Sequence, residues 1–135
     1  MPGLPLFIGV LLGGAAGTAL RVLLSQQLFP RPPGQFPTGS LLVNLSGSFL
    51  IGLLFGAVMF VTGPDLSWRF VVLAYGFIGA YTTVSSLSLE LLMMLRAGRS
   101  RLALVYLGTS VLGGLGLAMA GLGLMLAWSR ISFSW

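Results

Sequence analysis

The chain has no cysteine, no histidine and no lysine, and its charged side chains are seven arginines and two acidic residues. The absence of cysteine excludes disulfides and thiolate metal sites, and the absence of histidine removes imidazole ligands and the usual proton shuttle. The two carboxylates, Asp65 and Glu90, lie far apart in the sequence. One chain therefore lacks the residues for a nucleophile with its base or for a metal cluster, which argues against an enzyme.

Apolar residues dominate what is present: 56% of the side chains are hydrophobic and the mean hydropathy is +1.02. Charged residues make up 7% of the chain, against about 25% in soluble domains. The gaps between charged residues are long enough for helices of roughly 20 apolar residues, the length that spans a bilayer. We therefore predict an all-α membrane protein, a single domain over 1–135, with four transmembrane helices at about 4–29, 40–62, 69–95 and 102–129.

Short turns join these spans, namely PRPPGQFP, TGPDLS and RAGRSR. The formal net charge is +5, but the arginines lie at the ends of spans. This pattern indicates interfacial anchoring and topology, and it predicts membrane lipid rather than nucleic acid as a partner. Most arginines fall in or near the first and third connections, so we expect these two to face the cytoplasm and both termini to lie outside.

Small residues recur every fourth position on three of the spans, a spacing that places them on one helix face. Such stripes let helix backbones approach closely in lipid, which predicts a tightly packed bundle. The stripes are Gly9, Gly13 and Gly17 on the first span, Ser48, Gly52 and Gly56 on the second, and the pairs Gly114/Ala118 and Gly116/Ala120 on the fourth.

One segment of the third span, GFIGAYTTVSSLSLE, packs five hydroxyl side chains into the seven residues 82–88. Hydroxyl groups bond to preceding carbonyls and loosen a helix, and two upstream glycines lower its helical preference further. We predict a broken helix near the bilayer midplane, whose freed carbonyls and amide groups hold ions. A Ser/Thr-rich kink without an ion site is the alternative.

Two further spans carry polar pairs one helical turn apart: Asn44 with Ser48, and Tyr106 with Ser110. In a membrane such groups either bond to a neighbouring helix or line a watery pathway. Both interpretations stay open for these residues.

Three stretches resemble the signature blocks of the Fluc/CrcB fluoride channels, in the same order and on the first three spans: GGAAGTALR, GSLLVNLSGSFLIG and GFIGAYTTVSSLSLE. The resemblance implies a dimer of two antiparallel four-helix subunits with two narrow fluoride pathways at the subunit interface. It also implies a structural sodium ion at the centre, held by main-chain carbonyls of the broken third helices. The implied activity is passive export of fluoride across the cell membrane.

The resemblance assigns roles to individual positions. Main-chain carbonyls of Gly79 and Thr82 match the sodium ligands, and Arg21 matches an arginine near the aqueous vestibule. The positions matching the polar fluoride pathway are Asn44, Ser85, Ser86, Tyr106 and Ser110.

The chain departs from the family where the family reads Thr-Phe-Ser-Thr-Phe, because Val84 and Leu87 stand at the two phenylalanine positions. Phenylalanine offers an electropositive ring edge to an anion, and aliphatic side chains have no comparable edge. The hypotheses are another route of conduction, altered selectivity, a homodimer with a degenerate pore, or a heterodimer with a phenylalanine-bearing homologue.

Two rival functions remain. A small drug/proton antiporter needs a carboxylate at membrane depth, and Glu90 is the candidate. Its position late in the third span favours a helix-end anchor or a bond to a neighbour. The other rival is a non-conducting regulatory subunit, which would explain the missing aromatic side chains.

Overall fold

The computed structural model describes residues 3–62 and 68–132, so the predicted turn TGPDLS falls largely outside the described residues. Every regular element within the described ranges is a helix. Four helical stretches there are long and apolar enough to cross a membrane, at Gly3–Leu28, Thr38–Phe60, Arg69–Arg96 and Ser100–Ser132. The prediction of an all-α, multi-pass integral membrane protein is confirmed.

The first two spans are continuous helices that widen near their C-terminal ends. Helix α1 covers Gly3–Val22 and continues as a π-helical segment at Leu23–Leu28. Helix α2 covers Thr38–Ala57 and continues in the same way at Val58–Thr62. The π-helical segments keep backbone hydrogen bonds inside the span while changing which side chains face the neighbours.

The third span consists of two helices. Helix α3 (68–81) begins as a short α-helix at Trp68–Val71, widens at Val72–Ile78 and closes with an α-helical turn at Gly79–Tyr81. Helix α4 follows at Val84–Arg96.

The fourth span is one uninterrupted helix, α5, at Ser100–Ser132. It follows α4 after a tight turn in which Gly98 adopts a positive φ of 72°, a conformation that glycine reaches without steric cost. At 1.5 Å per residue its 33 residues extend roughly 50 Å, more than the hydrocarbon thickness of about 30 Å.

Glycine faces bring the helices together in two pairs, as the stripes predict. α1 packs against α3, where a Cβ on Gly17 would overlap the carbonyl oxygen of Phe77. α2 packs along α5, where a Cβ on Gly52 would overlap the carbonyl oxygen of Ala118. In both pairs the glycine lets one backbone rest against the other.

The pair Gly116/Ala120 on α5 is also predicted to pack closely against another helix, and within a single chain this prediction is wrong. A Cβ on Gly116 would meet nothing within 4 Å, and Ala120 is exposed. The contacts with α2 are made on the other face of α5, through Gly114 and Gly121.

The end of the bundle near the first connection is closed by a small core. Met94 and Tyr106 are fully buried there, and Phe36 packs its ring edge against Tyr106 with the centroids 5.7 Å apart. The connection is held further because Arg99 Nη1 donates to the Gly34 carbonyl at 3.2 Å. The first connection is thereby folded onto α4 and α5 instead of extending away from them.

Candidate functional site

The third span is interrupted at Thr82 and Thr83, where the backbone is extended. The φ and ψ angles are −78° and 160° at Thr82 and −154° and 125° at Thr83. α3 ends where the Thr82 N–H and hydroxyl both donate to the Ile78 carbonyl, each at 3.0 Å. α4 begins where the Thr83 hydroxyl accepts from the Ser86 N–H at 3.1 Å, as an N-cap does. The interruption lies inside the hydroxyl-rich segment.

Asn44 of α2 binds the peptide exposed by this interruption. Its Nδ2 donates to the Thr83 carbonyl at 3.2 Å, and its Oδ1 accepts from the Thr83 N–H at 3.0 Å. A backbone group at membrane depth needs a partner from protein or water, and one asparagine side chain supplies both partners here.

The interruption borders a cavity of about 500 Å³ between α2, α5 and the two halves of the third span. All residues that line it are uncharged. Six of the site residues predicted from the sequence are among them: Asn44, Gly79, Thr82, Val84, Leu87 and Ser110.

Ser110 has an unusual environment in this cavity. Its Oγ is buried, and among the described residues it makes no hydrogen bond. A buried hydroxyl without a partner costs about 1–3 kcal/mol. A polar group held in this state beside a cavity is suited to bonding whatever enters the cavity.

Three other predicted residues lie apart from this cavity. Ser85 is exposed and its hydroxyl bonds to that of Thr83 at 3.0 Å. Ser86 is half-buried and lines a second cavity. Arg21 lies half-buried in the last turn of α1, outside the lining of both cavities.

Tyr106, also predicted to line the pathway, is fully buried and bonds to a carboxylate instead. Its hydroxyl donates to Glu90 Oε2 at 2.6 Å. The other oxygen, Glu90 Oε1, accepts from Ser40 Oγ and from Arg31 Nη2, which forms a salt bridge. Three donors from the first connection, α2 and α5 thus converge on one acidic side chain of α4.

This cluster borders the second cavity, of about 350 Å³, which is closed on one side by the first connection. Arg31 directs one nitrogen to Glu90, while its Nη1 is buried and has no hydrogen-bond partner among the described residues. The side chains of Arg31 and Glu90 are 18% and 11% exposed. The charged pair therefore lies at one end of the bundle, away from the uncharged cavity.

In the sequence, Arg31 serves only as a topology signal and Glu90 has no identifiable partner beyond an unnamed neighbour. The small number of charged residues could have predicted this ion pair. An acidic residue in an apolar helix needs a cation, and the first connection holds one arginine. The arrangement also bears on the antiporter hypothesis. A carboxylate that exchanges protons for cations must be free to release its partners, and Glu90 is bound by three donors.

Comparison with known proteins agrees with the motifs. A family model described as CrcB-like protein, Camphor Resistance (CrcB), matches residues 8–122. Over 116 residues the chain is 43% identical to fluoride-specific ion channel FluC 2 of Moorella thermoacetica, covering 86% of this chain and 91% of the relative. It is 44% identical over 126 residues to FluC 1 of Symbiobacterium thermophilum, covering 90% and 98%. It is 40% identical over 122 residues to FluC of Pseudomonas fluorescens, covering 90% and 97%. The chain belongs to the CrcB-like family.

Proposed function

We propose that this chain is a subunit of a passive fluoride channel that lets fluoride leave the cytoplasm. The observation that carries the proposal is the uncharged cavity beside the interrupted third span, where amide and hydroxyl groups converge. Relatives that the chain matches over most of its length are named fluoride-specific ion channels.

A fluoride ion that enters a dry site must exchange water for other hydrogen-bond donors. The Asn44 amide has two N–H groups, of which one donates to Thr83, so the second is available to an anion. The Ser110 hydroxyl, buried beside the same cavity, is a second donor. Neutral donors bind an anion strongly enough to admit it and weakly enough to release it, which conduction requires.

Passive export is sufficient for this task. Hydrogen fluoride crosses membranes as a neutral weak acid and ionises in a less acidic cytoplasm, where the anion is trapped. An anion channel then lets the negative-inside potential expel it, with about 2.3 kcal/mol per charge per 100 mV. The Glu90 carboxylate, bound by three donors, takes no part in this scheme.

The residues at the interruption fit a structural sodium ion. Thr82 has a ψ of 160°, which turns its carbonyl away from the helical direction, and Gly79 lines the same cavity. Peptide carbonyls are suitable ligands for a hard monovalent cation. Bound there, sodium would supply positive charge that ties the two halves of the span together. Two carbonyls leave its coordination incomplete, so we propose that an antiparallel second subunit contributes the same pair.

Val84 and Leu87 both line the cavity, at the positions where the family has phenylalanine. The second subunit is therefore either another copy of this chain or a homologue that carries both phenylalanines. In the first case aliphatic side chains line both pathways, and in the second case the partner supplies the aromatic edges.

The proposal is tested by fluoride efflux from liposomes that contain the purified protein, driven by a potassium gradient with valinomycin. We expect fluoride to leave faster than chloride. Ser110→Ala should slow fluoride efflux by several-fold, because it removes a donor from the cavity. Thr109→Val is the matched control, since the exposed Thr109 hydroxyl donates to Val105 of its own helix at 2.7 Å. Equal efflux of both anions, or equal loss in the two variants, would contradict the proposal.

The same assay separates the two kinds of dimer. Efflux from the protein alone supports a homodimer. No efflux alone, but efflux after mixing with a phenylalanine-bearing homologue, supports a heterodimer. A non-denaturing mass measurement of the detergent-solubilised protein gives the stoichiometry independently, and a monomeric mass would contradict both.

A further inference from the structure

Asn44 makes an unusual pair of contacts, because its side chain bonds to both the N–H and the carbonyl of one residue, Thr83. Nδ2 donates to the Thr83 carbonyl and Oδ1 accepts from the Thr83 N–H, at 3.2 Å and 3.0 Å. Thr83 is the N-cap of α4, so its N–H has no helical acceptor, and the bond to Asn44 Oδ1 replaces the helical bond that this N–H lacks. The Asn44 side chain thereby acts as a substitute for a neighbouring backbone.

These contacts have a consequence for Gly79. In a continuous α-helix the N–H of Thr83 would donate to the carbonyl four residues earlier, which is that of Gly79. Here that N–H donates to Asn44 Oδ1. The N–H and hydroxyl of Thr82 are also directed elsewhere, to the Ile78 carbonyl. The Gly79 carbonyl has therefore lost the donor that an α-helix would give it.

We propose that Asn44 is a positioning residue for the cation site: by holding the Thr83 N–H, it keeps the Gly79 carbonyl free to bind sodium. This inference rests on the proposed function and deepens it. Because the amide retains one N–H for an anion, the same side chain serves the anion pathway and the cation site. Removal of Asn44 then has two separable effects, one on fluoride passage and one on sodium binding.

The test measures sodium binding without relying on transport. A cation that binds the folded state raises Tm, and the stabilisation grows with the logarithm of the ratio of its concentration to its Kd. Thermal unfolding of the detergent-solubilised protein is followed in sodium chloride and in N-methylglucamine chloride at equal ionic strength. We expect a sodium-dependent rise in Tm for the wild type, and its loss in Asn44→Leu, where the Thr83 N–H can return to the Gly79 carbonyl.

Ser110→Ala is the matched control, since it removes another polar group from the same cavity without contacting Thr83. It should keep the sodium-dependent rise in Tm while slowing fluoride efflux. If Ser110→Ala loses the rise as well, the effect belongs to the cavity in general and the inference fails. If Asn44→Leu does not fold in detergent, Asn44→Ser, whose side chain is one atom shorter, replaces it.

Asn44→Asp provides a rescue, because a carboxylate can still accept from the Thr83 N–H. We expect this variant to keep the sodium-dependent rise in Tm but to lose fluoride efflux, since a negative charge faces the cavity. To test whether charge alone attracts sodium, the double variant Asn44→Leu with Ser110→Asp places a carboxylate in the cavity away from Thr83. A sodium-dependent rise in that double variant would mean that charge alone accounts for the Asn44→Asp result, and the comparison of Asn44→Leu with Ser110→Ala would then decide the inference.

Failure of the inference and failure of the proposed function are distinguishable. A wild type that gains stability from sodium but passes no fluoride contradicts the channel function and leaves the role of Asn44 intact. A wild type that passes fluoride, while Asn44→Leu keeps its full sodium response, contradicts the role of Asn44 alone.

Discussion

Replacing Arg31 by methionine should destabilise the protein more than replacing its partner Glu90 by glutamine. In the native cluster Arg31 Nη2 and the Ser40 hydroxyl donate to Glu90 Oε1, and the Tyr106 hydroxyl donates to Oε2. Arg31→Met leaves a carboxylate that is 11% exposed, with two neutral donors and no cation. Glu90→Gln leaves the guanidinium beside a polar cavity of about 350 Å³, where water can solvate it.

The magnitudes follow from this difference. Removing one partner of a buried ion pair costs about 3–5 kcal/mol. Because two hydroxyl donors remain on Glu90, we expect Arg31→Met to lower the free energy of unfolding by about 3 kcal/mol, the lower end of this range. Glutamine keeps an oxygen for Arg31 and Ser40, and Tyr106 can rotate its hydroxyl to accept from the new amide. We therefore expect Glu90→Gln to lower the free energy of unfolding by about 1 kcal/mol, the net contribution of one hydrogen bond.

The double variant, Arg31→Met with Glu90→Gln, should be more stable than Arg31→Met alone by about 1–2 kcal/mol, because no charge is left buried without a partner. The measurement is the free energy of unfolding in mixed micelles, titrated with a denaturing detergent. Arg96→Met is the matched control, since Arg96 is an exposed arginine at the end of α4, and its free energy of unfolding should change by less than about 0.5 kcal/mol.

The reasoning is refuted if Arg31→Met is no more destabilising than Glu90→Gln, or if the double variant is the least stable of the three. Either result would mean that Glu90 is solvated or protonated in the folded protein and needs no arginine.

Two further perturbations test the packing and the cavity. Gly52→Ala should lower the free energy of unfolding by about 1–3 kcal/mol, since its Cβ would overlap the Ala118 carbonyl. The control Gly123→Ala should be neutral or slightly stabilising, because a Cβ there meets nothing within 4 Å. Equal losses of stability in the two variants would contradict the α2–α5 contact. Val84→Phe combined with Leu87→Phe should raise fluoride efflux in the liposome assay, because aromatic ring edges are electropositive and both positions line the cavity. A fall in efflux would mean that the native aliphatic side chains help to bind fluoride.

The features that the sequence predicted are those fixed by local chemistry. Arginines cannot be left in hydrocarbon without a partner, so the gaps between them define the spans. The hydroxyl run of the third span predicted an interruption because Thr82 and Thr83 bond within one turn of chain, to Ile78 and Ser86. These effects depend on neighbours in the sequence, and reading along the chain is sufficient to find them.

The features that the sequence did not predict depend on how helices rotate and on which distant segments meet. Tyr106 and Ser110 are one turn apart, yet Ser110 lines the uncharged cavity while Tyr106 bonds to Glu90. The Arg31–Glu90 pair joins residues 59 positions apart. A helical spacing cannot decide between such environments, because it fixes the face that two residues share and not the neighbour that each one meets.

The charged side chains of the described residues lie away from the cavity, whose polar side chains are amides and hydroxyls instead. An arginine in the cavity would bind an anion more tightly, and tight binding would slow its release. An arginine about 4 Å from a halide attracts it by about 4 kcal/mol at an effective dielectric constant of 20, which slows release roughly a thousandfold. A neutral donor contributes about 1 kcal/mol. Arg31 is paired with Glu90 at one end of the bundle, and Arg21 lies outside the cavity lining. Under the proposed function, the chain thus keeps its arginines away from the place where they would hold an anion too tightly.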